Sequence, residues 1–224
     1  MNIAENLNHF LTELEGTGCK LIAISKTKSE SEIMEAYDTG HRLFGENKVQ
    51  ELVAKYEALP RDIQWHMVGH LQRNKVKYIS PFVSLIHGVD SYKLLKEINK
   101  QGRKQERTIN CLLQIHIARE ETKFGLSEEE VYDILRDDQF AGLDFIRIRG
   151  LMGMATFTDD EDQVREEFRY LKELFDRLAT EIELPNVEMK ELSMGMTGDY
   201  RIAIEEGSTM VRIGTAIFGE RNYG

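Results

Sequence analysis

Proline and cysteine are scarce in this chain: three and two respectively among 224 residues, with a single tryptophan. So little proline excludes a collagen-like or proline-rich linker protein. Cys19 and Cys111 stand alone inside apolar segments and form no CxxC pair, so a disulfide scaffold is excluded and both read as reduced core thiols of a cytoplasmic protein. No apolar run approaches the ~18 residues of a membrane span, so no membrane association is expected. The start, MNIAENLNHF, lacks the basic end and apolar centre of a secretory signal. Basic charge is in deficit: 29 Lys and Arg against 39 Asp and Glu leave a net charge of −10. Such a surface repels phosphate backbones, so nucleic acid is not an expected partner.

With 41% hydrophobic residues and no linker or low-complexity tract, the chain reads as one globular domain over residues 1–224. Short apolar, β-branched runs alternate with amphipathic charged stretches. A leading helix is predicted over 3–15, and strands over 21–25, 42–44, 64–68, 85–87, 111–115, 146–151, 187–192 and 210–213. Capping boxes at Ser29/Glu32, Ser127/Glu130 and Thr158/Glu161 mark helix starts. The longest helix, over 160–183, presents Val164, Phe168, Leu171, Leu174, Phe175 and Leu178 on its inner face. Eight strands alternating with helices in one domain of this size predict a closed (β/α)8 TIM barrel.

In such a barrel, reactive residues gather where strands end. All eight predicted ends carry polar residues or glycine: SKTK, GEN, GHLQRNK, HGVD, HIAREETKFG (116–125), LMGMA, SMGMTGD and RIGTAIFG. A ligand in the barrel mouth is the expectation. Lys26 directly follows the apolar run LIAIS. Desolvation there lowers an amine pKa from about 10.4 and leaves free base to attack an aldehyde. A lysine that merely caps the strand end, its stem along apolar surface, explains the placement equally well. Lys28 adds like charge nearby.

The glycines and hydroxyls of SMGMTGD and RIGTAIFG come from the last two strands, where barrels often cradle phosphate, although neither is a Walker or Rossmann motif. Arg212, inside the otherwise apolar strand MVRIG, requires a ligand or a carboxylate partner. His66 and His70 are four apart, but on a strand rather than a helix and without the glutamate of HExxH, so no metal is expected. His66 reads as an enclosed core histidine and His70 as a candidate ligand contact. Met152, Met154, Met194 and Met196 read as core packing, or as the floor of a pocket for a flat ring.

Taken together and in order, AISKTK, FGEN-KVQE, WHMVGHLQ-NK, GLMGMA, LSMGM and VRIGTAIFG resemble the YggS/PROSC family of pyridoxal-phosphate-binding proteins, over residues 21–219. That family is similar to the barrel half of alanine racemases, the fold type III arrangement, without a second domain. The resemblance implies pyridoxal 5'-phosphate held covalently on Lys26 as a Schiff base. It implies that Ser193, with backbone amides around Gly195, Gly214 and Thr215, holds the phosphate, and it places Met194 in the cofactor site. Arg212 then faces the pyridine nitrogen, and Asn47, His70 and Met152 line the pocket. Thr197 departs from the family's usual serine but keeps a hydroxyl.

Two functions fit that site. One is a carrier or regulator in cellular vitamin B6 homeostasis, passing cofactor to pyridoxal-phosphate-dependent apo-enzymes; the other is an amino-acid racemase. Arg212, a permanent cation, keeps the ring nitrogen unprotonated and weakens carbanion chemistry. Racemisation also needs a second acid/base, which in alanine racemase is a tyrosine from a second domain across a dimer, and no stretch here announces a replacement. The carrier, as a monomer, is the expected form. A Schiff-base aldolase acting on a sugar phosphate is the third reading, and it predicts no bound chromophore.

Overall fold

The structure is a computed structural model and describes residues 2–120 and 124–220. Eight parallel strands close into a barrel in sequence order, with β1 completing the ring against β8. The strands are β1 (Lys20–Ile24), β2 (Leu43–Glu46), β3 (Gln64–Met67), β4 (Leu85–Val89), β5 (Ile109–Ile115), β6 (Ile146–Gly153), β7 (Val187–Met196) and β8 (Met210–Ile213). Around them run α1 (Ile3–Leu14), α2 (Glu30–Asp38), α3 (Val49–Ala58), α4 (Val76–Ile79), α5 (Tyr92–Lys104), α6 (Glu128–Arg136), α7 (Glu161–Glu181), α8 (Tyr200–Glu205) and α9 (Thr215–Phe218). The (β/α)8 expectation is met, and every predicted strand lies on an observed one.

Alternation along each strand separates two apolar clusters. Leu21 and Ala23 face outward with Val211, Ile213 and the helix stripes, whereas Ile22, Ile24, Leu85, Leu112, Met152 and Met210 fill the lumen. In α7, Val164, Phe168, Leu171, Leu174 and Leu178 are buried as the periodicity predicts, and Phe175 lies half-buried at the stripe's edge. Among the described residues, no helix is long and apolar enough to cross a membrane.

The capping boxes at Ser29 and Ser127 form as expected. The third does not. Asp160 caps α7, accepting from the Gln163 amide, while the Thr158 hydroxyl, before the helix, accepts from the Asp160 amide. A carboxylate at this position both takes an orphan amide and complements the helix dipole, and so displaces the threonine as the cap. Asp160→Ala is expected to lower the free energy of unfolding by about 1 kcal/mol in urea titrations, and Thr158→Ala by less.

Candidate functional site

The carboxyl ends of the strands surround a cavity of about 680 Å³. Lys26 enters it from the end of β1, Asn47 and His70 from the ends of β2 and β3, and Arg212, Gly214 and Thr215 from β8 and the start of α9. Met196, Thr197 and Gly198 supply the wall beyond β7. The strand end at 116–125 falls partly on residues 121–123, outside the described residues.

Arg212 lies at the base of this cavity and is 5% exposed. Its guanidinium donates to the carbonyl and hydroxyl oxygens of Ser193 at 2.9 and 2.6 Å and to the Gly153 carbonyl at 3.0 Å, which braces β8 to β7 and β6. Burial pushes its pKa down to about 10, with Asp199 opposing, so it remains a cation at neutral pH. The carboxylate partner considered from sequence is thus replaced at bonding distance by two carbonyls and a hydroxyl.

Behind Arg212 a polar chain crosses the lumen. The Ser193 hydroxyl is 2.9 Å from His87 Nδ1, and His87 Nε2 is 2.9 Å from His66 Nδ1. Burial drives the His66 pKa down to about 3 and that of His87 well below the ordinary value, so both imidazoles are neutral. A serine that accepts from Arg212 satisfies every member by donating to His87 Nδ1, leaving His87 Nε2–H to donate to His66. His66 is therefore an enclosed core residue, as its sequence context implies. His70, on the far side of the strand end, meets Asp90 Oδ2 at 2.9 Å and stacks on Phe124.

The other candidates are distributed over several layers. Met152 is 1% exposed within the lumen cluster. Ser193 is fully enclosed, its hydroxyl occupied by Arg212 and His87. The Met194 side chain belongs to the outer core, away from the mouth. Gly195 has φ of +94°, and a Cβ there would come within 2.6 Å of Ala203 Cβ on α8, so packing and backbone sign both require glycine. Gly198, by contrast, has nothing within 4 Å of an added Cβ. The anion-accessible glycine beyond β7 is thus Gly198, with Thr197 beside it. Lys28 also reaches the cavity, but its amine donates to the carbonyls of Phe218 and Glu220 at 2.8 and 2.9 Å.

Sequence reasoning assigned no individual role to His87, Lys55, Glu46 or Glu51, although His87 and Glu46 lie in the strand ends HGVD and GEN. A signal existed for Lys55: on α3 it shares a face with the buried Val49 and Leu52.

As a chemical unit the mouth offers a primary amine, a fixed cation at its base, hydroxyls at Thr197 and Thr215, and Gly198, which leaves its backbone approachable. Such a donor set suits an anionic ligand with an electrophilic carbonyl.

The family model described as "Alanine racemase, N-terminal domain" matches residues 1–222. A protein of Aquifex aeolicus described as "Pyridoxal phosphate homeostasis protein" is 40% identical over 233 residues, covering 100% of both chains. PipY of Synechococcus elongatus, solved without PLP, is 33% identical and superposes with a TM-score of 0.90, covering 97% of this chain and 100% of that one. The same protein with PLP bound gives a TM-score of 0.86 over the same shares.

Proposed function

Because this chain belongs to the alanine racemase N-terminal-domain family, we propose that it binds pyridoxal 5'-phosphate in the barrel mouth and acts in pyridoxal phosphate homeostasis. The observation that carries this is the placement of Lys26 and Arg212 in one cavity, an amine at its wall and a buried guanidinium at its base. The relatives named for pyridoxal phosphate homeostasis, and the PLP-bound PipY barrel of the same shape, support it.

The residues present fit this cofactor. Bound there, it supplies an aldehyde carbon open to a primary amine and a phosphate tail. Lys26 would hold the cofactor covalently through its amine, as a Schiff base formed with loss of one water. Thr197, Gly198, Gly214 and Thr215 accommodate the phosphate. Ser193, Met194 and Gly195 contribute from behind: Ser193 through Arg212, and the other two through the course of the β7 backbone. Arg212, a permanent cation, would face the ring nitrogen and disfavour its protonation, while Asn47, His70 and Met152 would bound the ring. The working unit is one domain over residues 1–224, a cytoplasmic monomer that delivers cofactor to apo-enzymes.

Purified protein mixed with pyridoxal phosphate should develop a visible absorption band, and borohydride should fix the cofactor irreversibly. Peptide mass mapping should then find the label on Lys26. Label on another lysine, or on none, overturns the assignment.

A further inference from the structure

A second lysine lies directly behind the mouth, and binding of the cofactor as described makes no use of it. Lys55 is 5% exposed, on the same face of α3 as the buried Val49 and Leu52, so helical register carries its ammonium inward. Its Nζ donates to the Ser25 carbonyl at 2.7 Å, to Glu46 Oε1 at 2.8 Å and to Glu51 Oε1 at 2.6 Å. Three donors thus have three acceptors.

Both carboxylates reach onward to the chain beside Lys26. Glu46 Oε1 accepts from the Ser25 hydroxyl, and Glu51 Oε1 from the Thr27 amide, each at 2.5 Å. The residues immediately before and after Lys26 are therefore tied to one buried charge cluster. Thr27 needs the tie. Its φ of +64° is a left-handed conformation that a β-branched residue enters only at a cost, and it persists where surrounding bonds impose it.

Stability alone is a poor account of the cluster. Apolar groups of similar volume often serve a core equally well in place of a buried ion pair. Moreover, Glu46 Oε2 is enclosed without any hydrogen-bond partner, an arrangement that costs rather than gains stability. The cluster's bonds go instead to the Ser25 carbonyl and hydroxyl and to the Thr27 amide, on either side of Lys26.

We infer that Lys55, through Glu46 and Glu51, is a positioning residue that fixes the direction in which β1 presents the Lys26 amine to the cavity. The inference rests on Lys26 being the residue that carries pyridoxal phosphate.

Two variants test it, each loaded with pyridoxal phosphate. Glu51→Gln leaves the Lys55–Glu46 pair in place and weakens the hold on Thr27. The double variant Glu46→Gln/Lys55→Met removes both charges together, which avoids stranding either one. Melting of the cofactor-free proteins reports the fold. Borohydride capture with peptide mapping gives the rate of linkage at Lys26, and pH titration of the visible band gives the pKa of the linked amine.

Capture at Lys26 is expected to slow by about 10- to 100-fold, the scale for a reacting group displaced by ~1 Å, and the titration midpoint is expected to move. Parental rates and midpoints in the folded variants overturn the inference while leaving Lys26 as the carrier. Should the double variant not fold, Glu51→Gln decides by the same criterion. Capture of the parent protein at another residue overturns both.

Discussion

Lys26→Ala is expected to abolish the visible band and to weaken retention of pyridoxal phosphate by about 100-fold or more, a loss of at least ~2.7 kcal/mol of binding. On the proposed reading the covalent link disappears, leaving the proposed contacts of Arg212, Thr197 and Thr215. Label should vanish rather than migrate, because the neighbouring lysines are committed elsewhere. Lys28 is buried with its amine on the carbonyls of Phe218 and Glu220, and Lys55 is held by Ser25, Glu46 and Glu51. Neither can reach an aldehyde without breaking at least two hydrogen bonds. Unfolding of the cofactor-free variant should stay within about 1 kcal/mol of the parent, since Lys26 is half-buried and its substitution opens no core cavity. Dialysis followed by absorption spectroscopy measures retention, and urea titration measures the fold. A variant that keeps both band and affinity removes Lys26 from the chemistry altogether.

The barrel was legible because its strands carry a signal of their own. In β1 and β8 the alternation of Ile22, Ile24, Met210 and Arg212 with Leu21, Ala23, Val211 and Ile213 places every other residue in the lumen. The start of α7 was less legible. Thr158 and Asp160 both qualify as caps, and the choice depends on where the β6 loop delivers the chain.

Within the site, Lys26, Asn47, His70, Arg212, Gly214 and Thr215 meet in one cavity. Gly195 reads as a site residue because it lies in a glycine-rich strand end, and Met194 because a methionine at a strand end can floor a pocket for a flat ring. Yet β7 continues to Met196, and strand parity turns the Met194 side chain outward. The Lys55 cluster was hard to read for a different reason, although the register of Lys55 with Val49 and Leu52 gave one sign of it. Charged residues on a strand and a helix read singly as solvated positions, and only the closure of the barrel shows that Glu46 and Lys55 share an interior.

Arg212→Met is expected to weaken both the fold and the retention of cofactor. The register between β7 and β8 shifts between Ser193 and Met196, and Arg212 donates into that irregularity from within the lumen. Methionine fills a similar volume but leaves the Ser193 and Gly153 carbonyls, both enclosed, without those donors. Each such orphan costs on the order of 1–3 kcal/mol, so urea titration of the cofactor-free variant should find at least ~2 kcal/mol lost. Ser193 also loses the donor that orients its hydroxyl toward His87, which frees the neutral histidine pair to change tautomer.

Arg212→Lys separates the brace from the charge. A single ammonium keeps a cation at the base of the cavity but lacks the forked span that reaches β7 and β6 at once. Retention in Arg212→Lys should therefore fall between parent and Arg212→Met, although its stability is closer to that of Arg212→Met. If both variants lose stability yet retain cofactor as tightly as the parent, Arg212 is a cross-brace of the barrel alone, and the ring nitrogen is held by something else.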